Sequence, residues 1–207
     1  MFLNRLTLDP AHPLARRDLG NCYEMHRTLA RAYAPNPETP PHRFLWRLEP
    51  SPVASPSAIL LVQSDFAADW SALDKLPGYA REILDNKPVN LEKLIQDGGR
   101  CRFRLLANPT VTREGKRHGL VKEEEQRTWL ERQGKRCGFE VLGCVRASNT
   151  RVQARQGRNG RYITLQTALF EGILAVTDGA SLGVSVRQGI GHGKAWGLGL
   201  LSLARIA

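Results

Sequence analysis

Apolar and polar side chains alternate from Phe2 to Leu8 (FLNRLTL), the two-residue period of a half-buried strand, so the chain opens with a β-strand. The period then lengthens. Leu19, Cys22, Leu29, Ala30 and Tyr33 recur at helical spacing between Asp18 and Ala34, and Pro35 and Pro37 end that helix. HRFLWRLEP and AILLVQS, separated by the Pro/Ser-rich SPVASPS, predict an antiparallel pair of strands. A weaker helical pattern covers parts of residues 69–97. RCRFRLLANP, with Cys101, Phe103 and Leu105 on one face, then predicts a strand closing a β-α-β-β-α-β order, which is that of the ferredoxin-like fold.

Residues 108–121 are polar, basic and glycine-containing, and mark the boundary between two lobes. We therefore expect a ferredoxin-like domain over 1–112 that includes the first helix, a basic linker over 113–121, and a second domain over 122–207. KEEEQRTWLERQGKR predicts a helix anchored by Trp129 and Leu130 and stopped at Gly138. Two long strands, FEVLGCVRASNTRVQAR and RYITLQTALFEGILAVT, flank QGRNG, whose Asn159-Gly160 is a strong hairpin signal. A helical piece near Ala180 to Gln188 and a strand near Leu200 to Ile206 complete what reads as a second, degenerate copy of the first order. No repeat is visible by residue identity. The fold class expected is α+β, two tandem ferredoxin-like domains.

Charge narrows the partner. The 207 residues carry 30 Lys and Arg against 20 Asp and Glu, a formal net charge of +10, and such an excess favours a polyanion through counterion release. A membrane surface fits poorly, because no basic helix with an apolar insertion face is evident. No apolar run approaches the about 18 residues that a membrane span needs, and MFLNRLTLDP does not read as a signal peptide. A cytoplasmic protein is expected. Cys22, Cys101, Cys137 and Cys144 form no C-x-x-C pair and no zinc spacing, so they are read as free thiols with no metal site.

The most informative segment is Asn21-Cys22-Tyr23-Glu24-Met25-His26-Arg27. Asn21 caps a helix, Glu24 is spaced for a capping box, and Tyr23 and His26 fall in the first turns, where free N–H groups favour a phosphate. RNA can be cut without a metal when its own 2′-hydroxyl attacks the adjacent phosphorus. That reaction needs a base, an acid, and donors to the charged phosphorane. An imidazole moves protons near neutrality, Tyr23 can orient the 2′-oxygen or donate to the phosphate, and Arg27 and Arg31 can hold the backbone. On the same helical wheel, however, His26 lies among Leu19, Cys22, Leu29 and Ala30, where a core histidine would also lie.

Three guanidiniums, Arg155, Arg158 and Arg161, crowd the hairpin tip, a cationic ribbon suited to a nucleic-acid groove and also to a solvated turn. Lys116 and Arg117 in the interlobe segment pose the same choice. The run GIGHGKAWGLGLL, from Gly189 to Leu201, places Lys194 among five glycines, but Ala195 follows Lys194 and the phosphate-loop pattern fails. Close backbone approach or tight packing is the expected role. His192 in that run is either a second proton-transfer group or an ordinary loop residue.

The chain resembles the CasE family, the repeat-processing endoribonucleases of type I-E CRISPR Cascade systems. The likeness rests on the opening strand, RRDLGNCYEMHRTL, LWRLEP, FRLLANP followed by GKR, TWLERQ, LQTALFEG and GIGHGKAWGLGLLSLA, and spans nearly the whole chain. The resemblance implies catalysis by His26 with Tyr23, RNA contacts from Arg27 and Arg31, and stem contacts from Arg155, Arg158 and Arg161, without a cofactor; Lys116, Arg117 and Lys194 are RNA-binding candidates by their charge. It further implies cleavage at the 3′ base of a CRISPR repeat stem, giving a 2′,3′-cyclic phosphate and a 5′-hydroxyl. The mature crRNA and the other Cascade subunits are the partners it implies. A non-cleaving RNA-hairpin-binding subunit, or a scaffold that contacts only protein, are the competing readings.

Overall fold

A computed structural model describes residues 1–34, 36, 38–51, 55–155, 160 and 162–206. The chain forms two compact units. The first gathers Met1–Val89, Gln153–Ile163 and Ala195–Gly197; the second gathers Asn90–Val152, Thr164–Lys194 and Leu198–Ala207.

In the first unit, β1 (Phe2–Leu8) is followed by α1 (Pro13–Gly20), α2 (Cys22–Ala30), β2 (Phe44–Leu48), β3 (Ala58–Ser64) and β4 (Ala80–Pro88). The sheet order is β2-β3-β1-β4, antiparallel throughout, with Leu6 opposite Leu60 on one side and Ile83 on the other. Leu6, Leu8, Leu60 and Val62 point to the face that Met25 and Leu29 of α2 cover, so the strand alternation and the helix stripe bury each other. The single helix expected over Asp18 to Ala34 is broken at Asn21, whose extended φ of −147° separates α1 from α2, and ends in a 3-10 turn over Arg31–Tyr33. Pro35 and Pro37 lie outside the described residues.

The weak helical pattern over 69–97 yields only a 3-10 turn, Trp70–Leu73, and then the edge strand β4. Tertiary pairing overrides the local pattern. Sparse apolar residues give that segment little to bury as a helix, whereas the free edge of β1 offers its backbone groups partners. Asn86 locks the arrangement. Its N–H donates to Oδ1 of the fully buried Asn4 at 2.6 Å, and its side chain bonds both N and O of Ala68.

The second unit begins with β5 (Arg100–Ala107), the strand expected to close the first order. It pairs instead with β9 (Tyr162–Val176) and β10 (Leu201–Arg205) in the sheet β10-β5-β9-β8, where β8 is Phe139–Arg155. Cys101, Phe103 and Leu105 are buried on one face, as their alternation requires. Between β5 and β8 come a two-strand hairpin, β6 (Thr110–Arg113) and β7 (Lys116–Gly119), and α3 (Glu123–Cys137). Helix α4 (Gly179–Gln188) follows β9.

Numbered within each unit, both sheets share the strand order 4-1-3-2. The class is α+β with tandem ferredoxin-like domains, and the shortened second crossover is in the first unit, since the second keeps both helices. Helix α3 is oriented by Glu123, Glu124 and Glu125 at its start and by Lys135 and Arg136 at its end. It stops at Gly138, whose φ of +79° and closeness to the Asp178 carbonyl leave no room for a Cβ.

Candidate functional site

Asn21 sets the geometry of the site. Its Oδ1 accepts the Tyr23 N–H at 3.1 Å and so caps α2, placing Tyr23 in the first turn and His26 one turn later. The expected capping box is not closed. The Asn21 N–H bonds the Asp18 carbonyl, while Glu24 pairs with Arg27 at 3.1 Å and stands 3.8 Å from Arg17. Below the helix, the buried Asp18 carboxylate accepts from the Thr28 hydroxyl at 2.6 Å and the Tyr79 hydroxyl at 2.8 Å, which fixes α2 against the sheet.

His26 is half-buried, neither sealed in the core nor fully in water. Its ring stacks on Phe44 with centroids 4.9 Å apart, and Phe44 stacks also on Tyr33 at 4.8 Å. Nδ1 is buried without a hydrogen-bond partner, an arrangement that costs about 1–3 kcal/mol in an ordinary structural role. Burial pulls the imidazole below its usual range, so the neutral ring prevails at pH 7. The same burial pushes the Cys22 thiol up to about 11, leaving it inert beside the site.

Around Tyr23 the first unit assembles groups far apart in sequence. The Trp196 ring lies 6.3 Å from Tyr23, and the Arg27 guanidinium stands 5.9 Å over the Tyr23 ring. Trp196 is held by Gly197, where a Cβ would approach the Trp46 ring to 2.7 Å. Asn21 reaches across the chain as well: its Nδ2 donates to the Arg155 carbonyl at 3.0 Å and its Oδ1 accepts the Arg155 N–H at 3.2 Å. One side chain therefore caps the helix and fastens the base of the basic hairpin. The Arg155 guanidinium lies 5.0 Å over Tyr162. Arg31 is exposed, one turn beyond Arg27. Arg158 and Arg161 lie outside the described residues.

In the second unit, Lys116 and Arg117 are exposed on β7, and Lys194 donates to the Gly191 carbonyl at 2.7 Å, closing the glycine-rich loop. His192 in that loop is lowered by burial first, and then by the positive charges of Arg117, Lys194 and Arg136. Arg117 and Lys194, picked out in two separate stretches, thus share one neighbourhood with Arg136 and His192. Among the described residues, no three His, Cys, Asp or Glu side chains gather as they would around a metal ion, and no helix is long and apolar enough to cross a membrane.

Sequence reasoning missed Phe44, Trp196, and the bonds from Asn21 to Arg155. Phe44 lies within a strand pattern and Trp196 within the glycine-rich run, with nothing local to single them out, and a side-chain bond spanning 134 positions leaves no local signal.

Residues 1–205 match the family described as CRISPR associated protein. The chain is 41% identical to the CRISPR-associated endoribonuclease Cse3 of Thermus thermophilus over 99% of this chain and all of that protein. It is 28% identical to the Cascade subunit CasE of Escherichia coli K12 over 99% of each. A solved structure of CRISPR endoribonuclease Cse3 bound to a 19-nucleotide RNA superposes with a TM-score of 0.87 at 40% identity, covering 99% of this chain and 100% of that one. With the fold, the helix carrying Tyr23 and His26, and these likenesses together, the chain belongs to the CRISPR associated protein family as a CasE-type member.

Proposed function

We propose that this protein is an endoribonuclease that binds the stem-loop of CRISPR repeat RNA and cuts the precursor at the 3′ base of the stem. The observation that supports this most is the half-buried His26 ring, held neutral by its surroundings one turn from Tyr23, on a helix tied to the basic hairpin.

In the proposed reaction the neutral imidazole takes the proton of the 2′-hydroxyl, and the 2′-oxygen attacks the adjacent phosphorus. The P–O5′ bond breaks, giving a 2′,3′-cyclic phosphate and a 5′-oxygen that Tyr23 protonates through its phenol. Arg27 stabilises the phosphorane. It must first leave Glu24, whose side chain is largely buried while the guanidinium is exposed. No step calls on a metal or cofactor. Arg31 and Arg155, with Arg158 and Arg161, hold the RNA near this helix, and Lys116, Arg117 and Lys194 supply positive charge from the second unit. The product stays bound as crRNA, and the protein works with the other Cascade subunits in the cytoplasm.

The test is a single-turnover cleavage of cognate repeat RNA with end-group analysis, in EDTA. Cleavage is expected to persist in chelator and to stop when the nucleotide 5′ of the cut lacks its 2′-hydroxyl. A 2′-deoxy substrate that is still cut would refute the mechanism.

A further inference from the structure

Just outside the end of the β2–β3 ladder stands an exposed ring stack that the proposed chemistry leaves unused. Phe44 stands opposite Ser64 in the outermost pair, and His42 and Phe66 each lie two residues beyond it along the chain. Their rings stack at 3.9 Å with planes 7° apart, and Phe66 is 47% exposed. The pair is held rather than draped. The His42 N–H donates to the Tyr33 carbonyl at 2.8 Å. The Ser64 hydroxyl donates to the Arg43 carbonyl at 2.7 Å and accepts the Phe66 N–H at 3.1 Å. Each ring covers one face of the other, so the exposure that remains lies on outer faces and edges.

The position along the helix gives this stack a purpose. His42 is joined to the site through Tyr33, whose ring stacks on Phe44 as Phe44 stacks on His26. The N-terminal end of α2 is fastened to Arg155 of the basic hairpin; the C-terminal end runs through exposed Arg31 into the 3-10 turn whose Tyr33 holds His42. With a stem at the first end and the cut near His26, the second end is open to the strand beyond the cut.

Resting on the ribonuclease reading above, we infer that the His42–Phe66 stack is a platform for an unpaired base on the 3′ side of the cut, with Arg31 contacting its backbone phosphate. Every base has a π-face, so such a platform accepts RNA without selecting sequence. It holds the leaving strand in place before cleavage and loses its ligand afterwards.

The experiment compares two RNAs with full-length protein: a repeat carrying several unpaired 3′ nucleotides and a 2′-deoxy residue at the cut, and the same stem-loop ending at the cut. Phe66→Ala is expected to weaken binding of the flanked RNA about tenfold, the scale of one base stacked on an aromatic ring. It should leave the truncated stem-loop unchanged. Phe66→Leu should behave like Phe66→Ala, Phe66→Trp should retain affinity, and His42→Ala should reproduce the loss. The platform is overturned if Phe66→Ala weakens both RNAs equally, weakens neither, or acts only on an RNA with a 5′ flank. If the unaltered protein binds neither RNA, the ribonuclease reading itself fails, an outcome distinct from the others.

Discussion

The first turns of α2 and the exposed cations of the second unit carry opposite kinds of polar chemistry. His26 is half-buried, stacked on Phe44, and has a buried nitrogen without a partner. Lys116 and Arg117 stand in water on a short hairpin. Removal of solvent favours the neutral form of the first; the second lies open to solvent. A site that moves a proton needs the former environment, and a surface that attracts a polyanion needs the latter.

The largest effect that tests this contrast is on rate. His26→Ala should lower single-turnover cleavage by about 10²–10⁴-fold while hairpin affinity stays within a few-fold, measured by cleavage and by filter binding. Equal loss of rate and affinity, or loss of folding by circular dichroism, would instead make His26 a packing residue. Its pH profile sharpens the point. A base whose imidazole is lowered by burial gives a rate that climbs as pH rises through that lowered value and is level by pH 7. A rate falling over the same range would make the imidazolium the active form. The stability attached to this ring has the same sign. The unfolded chain takes up a proton near pH 6.5 that the folded ring resists, so stability drops as pH falls from there toward the folded value.

A smaller effect is expected at the junction of helix and hairpin. Asn21→Ala removes the α2 cap and both bonds to Arg155, and should cost about 2 kcal/mol in chemical denaturation. Asn21→Asp keeps the acceptor for the cap and loses the donor to the Arg155 carbonyl. It should lose less stability, yet weaken binding of the RNA stem as Asn21→Ala does. The smallest effect belongs to the exposed cations. Arg117→Ala should lower RNA affinity several-fold and reduce the slope of log affinity against log salt by about 1, with the cleavage rate at saturating protein unchanged. A changed rate at saturation would mean that the contrast between the two regions is wrong.

Much of the fold was legible because periodicity reports directly on which face is buried. FLNRLTL, AILLVQS and the Trp129-Leu130 helix stand where their patterns place them, and Asn21 and Gly138 are punctuation with a local physical cause. The helix expected within 69–97 was illegible for the opposite reason: residues 80–88 have a weak preference of their own and take their state from the open edge of β1. The partner of β5 was likewise hidden, because an alternating strand states which face is inward and not which strands it joins.

By itself, then, the chain determined its class of fold, its excess of positive charge, and the chemistry available at Tyr23 and His26, since these follow from composition and from repeats a few residues long. Whether His26 is a sealed core histidine or a ring able to exchange a proton was a tertiary decision. It turned on how deep the ring sits against Phe44, itself backed by Tyr33. Solvation depends on every neighbour in space, and most of those neighbours are remote along the chain.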